Sequence, residues 1–226
     1  MKTRSIVITA AGTGKRMGSD IPKQFLLLAG KPVLMHTIEL LYRYSPESQL
    51  VLTLPEDHME DWKALCRAHD FKVELEIVPG GKERYHSIRR ALEKCTGELI
   101  AVHDGVRPLV SEETLDRLFE AAEMQTAVVP VVQVKDSLRR TDSGGSHAVP
   151  RSEYRIVQTP QVFDADVLRK AYALPFDDSL TDDASLVERS GELVFLVDGN
   201  DENIKITMPS DLTLAESLVR KRTENS

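Results

Sequence analysis

Short runs of β-branched residues alternate with amphipathic helical segments from Ser5 to Val132, and this rhythm restricts the fold more than any other feature. Ser5 to Ala10 (SIVITA) reads as a buried strand that runs straight into a glycine-rich turn. From Pro32, the apolar residues Leu34, Ile38 and Leu41 recur at helical spacing, and Leu50 to Leu54 is the next strand. Pro55 and Asp57 open a helix whose apolar positions are Met59, Trp62, Leu65 and Cys66; Val73 to Ile77 then alternates as a strand does, until Gly80-Gly81 breaks it. A helix from about Arg84 to Cys95, a strand from Leu99 to His103, a helix after Ser111 and a strand from Ala127 to Val132 complete the series. Strands joined through helices point to an α/β fold: a Rossmann-like, largely parallel sheet with helices on both faces.

The rhythm fails between Lys135 and Val149, where polar residues flank Asp142-Ser143-Gly144-Gly145-Ser146, a turn composition suited to a two-stranded hairpin. So little apolar content cannot stabilise a lone ribbon, so it either lies on the sheet edge or projects towards another chain. Beyond it come a strand-like segment at Tyr154 to Val157, a helix near Asp164 to Tyr172 and a helix from Thr181 ended by Gly191. The strand Leu193 to Val197 and a last helix after Pro209 follow. No repeat, low-complexity tract or linker interrupts residues 1–226, which reads as a single domain with a β-arm inserted at about 133–155.

Charge and cysteine usage narrow the function. With 29 Lys+Arg against 36 Asp+Glu the net charge is −7, so no global field attracts nucleic acid or an anionic membrane. Any anion must be held by local cations. Cys66 and Cys95 are too few for a disulfide framework and too far apart for a zinc site, as expected of free thiols in a reducing compartment. The apolar stretch after Lys2 and Arg4 is too short for a signal peptide, and no run approaches the ~18 apolar residues of a membrane span. A soluble, cytoplasmic protein is expected.

Ala10-Ala11-Gly12-Thr13-Gly14-Lys15-Arg16-Met17-Gly18 follows the first strand. A dinucleotide-binding loop would need Gly or Ala at Met17, and a P-loop would need Ser or Thr at Arg16. Two glycines that let backbone approach an anion, with Lys15, Arg16 and then Lys23 as cations, suit a triphosphate. Gly80-Gly81, with Arg84 and Ser87 as a helix begins, would offer N–H groups and a hydroxyl at the same sheet edge, or is simply a tight turn. Asp104, where a buried strand ends, could orient a Mg²⁺ complexed to phosphates, hydrogen-bond a sugar, or be a turn aspartate paired with Arg107. Lys205, between Ile204 and Ile206, faces either solvent or a site. His36, His58, His69 and His86 lack metal-ligand spacing, and no Ser/His/Asp order or Cys/His pair stands out.

Taken in order, the motifs resemble one family. Ala10-Ala11-Gly12-x-Gly14-x-Arg16-Met17, Pro22-Lys23-Gln24, Gly80-Gly81-x-x-Arg84, His103-Asp104-x-x-Arg107-Pro108, Thr159-Pro160-Gln161, Thr181-Asp182-x-Ala184-Ser185 and Asn203-Ile204-Lys205 are similar to the motif set of the 2-C-methyl-D-erythritol 4-phosphate cytidylyltransferases. The resemblance covers nearly the whole chain. It implies transfer of a cytidylyl group from CTP to methylerythritol phosphate, with release of pyrophosphate, on the non-mevalonate route to isoprenoid precursors. It further implies that Arg16 and Lys23 stabilise charge on the α-phosphate, and that Ala10, Ala11, Gly12, Gly14, Lys15, Gly80, Gly81, Ser87 and Asp104 hold the nucleotide. Mg²⁺ would be bound mainly through the CTP phosphates, with Asp104 as its indirect protein contact. Arg151, Thr181 and Lys205 would position the acceptor phosphate, Arg151 from the neighbouring subunit of a homodimer embraced by the arm. Gly105-Val106 stands where many members have two alanines, and Ser137 where some have threonine. Ribitol 5-phosphate cytidylyltransferases share several of these elements but more often show a glycine pair where this chain has Ala10-Ala11-Gly12. A non-catalytic nucleotide-binding regulator would keep the glycine loop without a reason to keep Lys23, Arg151 and Lys205 together.

Overall fold

The computed structural model describes residues 1–12 and 21–224. β1 (Arg4–Thr9) is followed by a small ribbon of β2 (Leu27–Leu28) and β3 (Lys31–Pro32), then α1 (Val33–Tyr44), β4 (Gln49–Leu54) and α2 (Met59–Ala68). Next come β5 (Glu76–Pro79), α3 (Arg84–Leu92), β6 (Leu99–Asp104), α4 (Glu112–Ala122) and β7 (Ala127–Gln133). The second half comprises β8 (Leu138–Asp142), β9 (Gly145–Val149), β10 (Arg155–Val157), β11 (Gln161–Asp164), α5 (Ala165–Tyr172), α6 (Asp183–Arg189), β12 (Phe195–Asp198) and α7 (Pro209–Glu224).

β5, β4, β1 and β6 lie side by side and parallel, with Ile6 opposite both Leu50 and Ala101. Beyond β6 the direction reverses. β11 runs antiparallel to both β6 and β7, β10 extends the same pairing along β7, and β12 pairs parallel with β7. The largely parallel sheet is therefore as expected; of its two antiparallel strands, β10 corresponds to the strand-like segment Tyr154 to Val157, whereas β11 has no signal in the local sequence pattern. β5 also lies later than the alternation of Val73 to Ile77 indicates, because its partner residues Val51 to Leu54 pair with Glu76 to Pro79.

Strand alternation sends successive side chains to opposite faces and builds two apolar layers. Ile6, Ile8, Leu50 and Leu52 pack with Leu34 and Ile38 of α1, Trp62 of α2 and Leu118 of α4. Val7, Val51, Ile100 and Val102 pack with Ile88 of α3, Leu168 of α5 and Leu186 of α6. α7 closes the molecule through Ala215 against Leu28, Val33, Val106 and Ile206. Side-chain caps fix where helices start: Ser111 accepts the Thr114 N–H at 3.2 Å, and Asp182 accepts the Ser185 N–H at 3.0 Å. The arm strands β8 and β9 pair with each other as a separate two-stranded sheet, and most of their residues are exposed.

Candidate active site

The carboxyl ends of the parallel strands surround one open cleft of about 300 Å³, the position where ligands collect in open α/β sheets. Ala10, Ala11 and Gly12 leave β1 along its wall, and the Ala10 N–H continues the pairing by donating to Thr53 O at 3.0 Å. Gln24 is buried and donates from Nε2 to Ala10 O at 2.7 Å. That bond draws the turn Lys23–Phe25 against the loop, so Lys23 lines the cleft. A Cβ at Gly80 would lie 2.4 Å from the Ala11 Cβ, so the loops after β1 and β5 can touch only with glycine there. Gly81 lines the cleft and donates its N–H to Ser87 Oγ at 2.9 Å, while the Ser87 hydroxyl donates to Glu83 O. Ser87 thus shapes the turn into α3 as well as lining the cleft. Gly14, Lys15 and Arg16 lie outside the described residues.

Asp104, the last residue of β6, is the acid of the cleft floor. Its Oδ2 lies 3.0 Å from Lys205 Nζ and 3.1 Å from Arg107 Nε, and its Oδ1 lies 3.9 Å from Arg84 Nε. Burial alone would raise its pKa; the charges of Arg84, Lys205 and Arg107 outweigh that and hold the carboxyl well below the usual carboxylate range. Asp104 is therefore both the turn partner of Arg107 and an acid of the cleft. Lys205 lines this cleft from an exposed position, so it meets both solvent and the site.

Arg84 contributes a cation to the cleft wall that the sequence signals only as part of Gly80-Gly81-x-x-Arg84. Its two terminal nitrogens each donate at 2.7 Å to the carboxylate of Asp183, which is fully buried and also accepts the Tyr172 hydroxyl. In sequence Asp183 is only the unspecified position of Thr181-Asp182-x-Ala184-Ser185. Gln161 explains its placement: Nε2 donates to Asp182 at 2.8 Å and Oε1 accepts the Ala184 N–H at 2.9 Å. The Thr-Pro-Gln segment thereby clips α6 to β11.

The remaining candidates lie apart. Thr181 lines a neighbouring cleft that shares Glu83 and Arg84 with the first. Arg151 is exposed in the turn Arg151–Glu153 after the arm, donating to Lys135 O. A groove lined by Arg107, Lys135, Gln158, Asn203 and Lys205 runs from the cleft floor towards the base of the arm. Among the described residues no group of three or more His, Cys, Asp or Glu could hold a metal ion. Nor is any helix of the described residues long and apolar enough to cross a membrane.

The family model IspD, 2-C-methyl-D-erythritol 4-phosphate cytidylyltransferase, matches residues 5–221. A 2-C-methyl-D-erythritol 4-phosphate cytidylyltransferase of Bacteroides thetaiotaomicron is 49% identical over 218 residues, spanning 96% of this chain and 99% of the relative. One from Porphyromonas gingivalis is 50% identical over 219 residues, spanning 96% and 97%. The crystal structure of the Thermus thermophilus enzyme of the same name superposes with a TM-score of 0.79 at 35% identity, covering 97% of this chain and 100% of that one. With motifs, fold and nearly full-length identity in agreement, the chain belongs to the 2-C-methyl-D-erythritol 4-phosphate cytidylyltransferase family.

Proposed function

We propose that the cleft at the ends of β1, β4 and β6 transfers the cytidylyl group of CTP to 2-C-methyl-D-erythritol 4-phosphate. The products are pyrophosphate and 4-diphosphocytidyl-2-C-methyl-D-erythritol. The observation that carries the residue roles is the gathering of Lys23, Arg84 and Lys205 on one cleft in a chain of net charge −7. A phosphate oxygen attacking the α-phosphorus in line needs alignment and positive charge rather than a general base. Lys23, with Arg16 from the loop after β1, meets the charge that develops on the α-phosphate. Ala10 to Gly12, Gly14, Lys15, Gly80-Gly81 and Ser87 receive the nucleotide. Lys205 keeps donors beyond the one directed at Asp104 and turns them to the acceptor phosphate.

Mg²⁺ is usually held by one or two carboxylates together with substrate phosphates. Asp104 at the cleft floor could supply one such carboxylate, but Lys205, Arg107 and Arg84 already surround it, so the nucleotide phosphates would carry most of the ion's coordination. When bound, it would neutralise charge on the phosphates. Arg151 and Thr181 reach the acceptor only from beside the cleft, and we assign Arg151 to the site of a second copy in a homodimer formed through the arm. The exposed apolar residues Tyr154, Ile156 and Val157 next to it support that reading. The unpaired cysteines, Cys95 buried and Cys66 half-buried, accord with a cytoplasmic setting.

Pyrophosphate release from CTP tests the assignment, with methylerythritol phosphate and ribitol 5-phosphate offered separately. Turnover is expected with the first; turnover with ribitol phosphate alone would reassign the acceptor. Lys23→Ala is expected to lower kcat by about 10²-fold or more while CTP binding stays largely intact, the loss of an aligned transition-state donor. Unchanged turnover would remove Lys23 from the catalytic group.

A further inference from the structure

We infer that His103 is a positioning residue for the transfer reaction, acting through a single tautomer that braces the segments carrying Asp104, Arg107 and Lys205. The inference rests on the transfer reading of the cleft. His103 is fully buried and next to last in β6. Its Nε2 lies 3.0 Å from the carbonyl oxygen of Arg107, and its Nδ1 lies 3.0 Å from Thr159 Oγ1. A carbonyl oxygen only accepts, so in the neutral ring Nε2 carries the proton and Nδ1 accepts from the Thr159 hydroxyl. That hydroxyl oxygen in turn accepts the Asp104 N–H at 3.1 Å.

The hydrogen-bonded chain closes on itself. Arg107, held at its carbonyl by His103, directs Nε to Asp104 Oδ2 at 3.1 Å and Nη1 to Asn203 O at 2.7 Å. Asn203 is fully buried and donates from Nδ2 to Thr159 O at 2.8 Å. Two residues further on, Lys205 Nζ stands 3.0 Å from Asp104 Oδ2. The His-Asp-x-x-Arg, Thr-Pro-Gln and Asn-Ile-Lys segments are thus one ring braced by a buried imidazole. Asp104 and Lys205 line the cleft and His103 does not, so the imidazole acts through them. With both ring nitrogens engaged inside the protein, it is no general base. Its contribution is alignment, and a displacement of about 1 Å in such a site can lower turnover by about 10²-fold.

Two substitutions separate the arms of the brace. His103→Asn keeps an amide oxygen near Nδ1, able to accept from Thr159, but cannot reach Arg107 O. His103→Gln places an amide N–H near Nε2 and leaves the Thr159 hydroxyl without its acceptor. With CTP and methylerythritol phosphate, His103→Asn is expected to lose about tenfold or more in kcat with KM for CTP within about threefold, and His103→Gln to lose less. A long-range ¹H–¹⁵N spectrum of the histidine-labelled wild-type enzyme is expected to show His103 with its proton on Nε2. Wild-type kcat in His103→Asn, or a proton on Nδ1, would overturn the proposal. Should His103→Asn fail to fold, the His103→Gln kinetics and the wild-type spectrum decide. A wild-type enzyme inactive with CTP and the acceptor would instead overturn the transfer reading, whatever tautomer the spectrum shows.

Discussion

Asp104 stays charged although it is almost wholly buried, because Arg84, Lys205 and Arg107 together outweigh its desolvation. A carboxyl whose folded pKa is depressed takes up a proton more readily in the unfolded chain, so its stabilising contribution is complete above the unfolded pKa of about 3.9 and fades as pH falls through the folded value. The stability difference between wild type and Asp104→Asn is therefore expected to be flat from about pH 8 to 5 and to shrink below about pH 4. Urea unfolding at several pH values would measure it, and a gap unchanged down to about pH 3 would contradict the depressed pKa. The sequence made Asp104 legible because an acid at the end of a buried strand is conspicuous. Lys23 was legible for a similar reason, standing beside a glycine-rich turn in an acidic chain. Arg84 and Asp183 were not legible as a pair: their bond spans 99 positions, and no local pattern encodes such a contact.

Among the elements, α3 and α6 are joined by that pair, buried at Asp183 and open to the cleft at Arg84, and β11 holds α6 in place through Gln161 and Asp182. Asp183→Ala takes the acceptor from the buried Tyr172 hydroxyl and two hydrogen bonds from Arg84, whose guanidinium keeps Asp104 at 3.9 Å and the open cleft beside it, and is expected to cost about 1–3 kcal/mol. Replacing the whole set, Arg84→Met and Asp183→Leu with Tyr172→Phe, is expected to recover most of that stability yet still bind CTP more weakly, because the cleft loses a cation. Denaturant titration and calorimetry with CTP would check both halves, and an Asp183→Ala protein as stable as wild type would refute the argument. The β-branched runs and spaced apolar residues made nearly all the parallel strands and helices readable. β11 escaped because it is four residues long and follows Pro160 directly; what makes it a strand is the pair of edges on β6 and β7 that it fills. β5 was misplaced by a few residues for a related reason, since its register is set by β4 and not by its own alternation.

At the scale of the whole molecule, the exposed arm and its neighbour Arg151 carry the assignment of a shared site. Arg151→Ala and Lys205→Ala are each expected to be nearly inactive, whereas a mixed dimer of the two should recover roughly half of wild-type turnover, since two-fold symmetry leaves one site with both residues. Co-expression with two different tags and purification of the doubly tagged dimer would test this; absence of activity would place both residues in one chain's site. The antiparallel strands have a consequence of another kind, for the order in which the chain assembles. Among the described residues, β7 has its strand partners only in β10, β11 and β12, all of which follow it in the chain. A nascent chain that has emerged no further than the arm therefore leaves one edge of β6 and both edges of β7 open, with no described strand upstream to close them, and unpaired edges are templates for association. A fragment ending at residue 134 is expected to aggregate or be digested from β6 onward, while one ending at residue 175, which contains β10 and β11, should protect β6 and the edge of β7 that they fill. Equal protease protection in the two would contradict this order. The arm, lying between β7 and the strands that dock it, thus leaves the ribosome before the sheet that bears it can be completed.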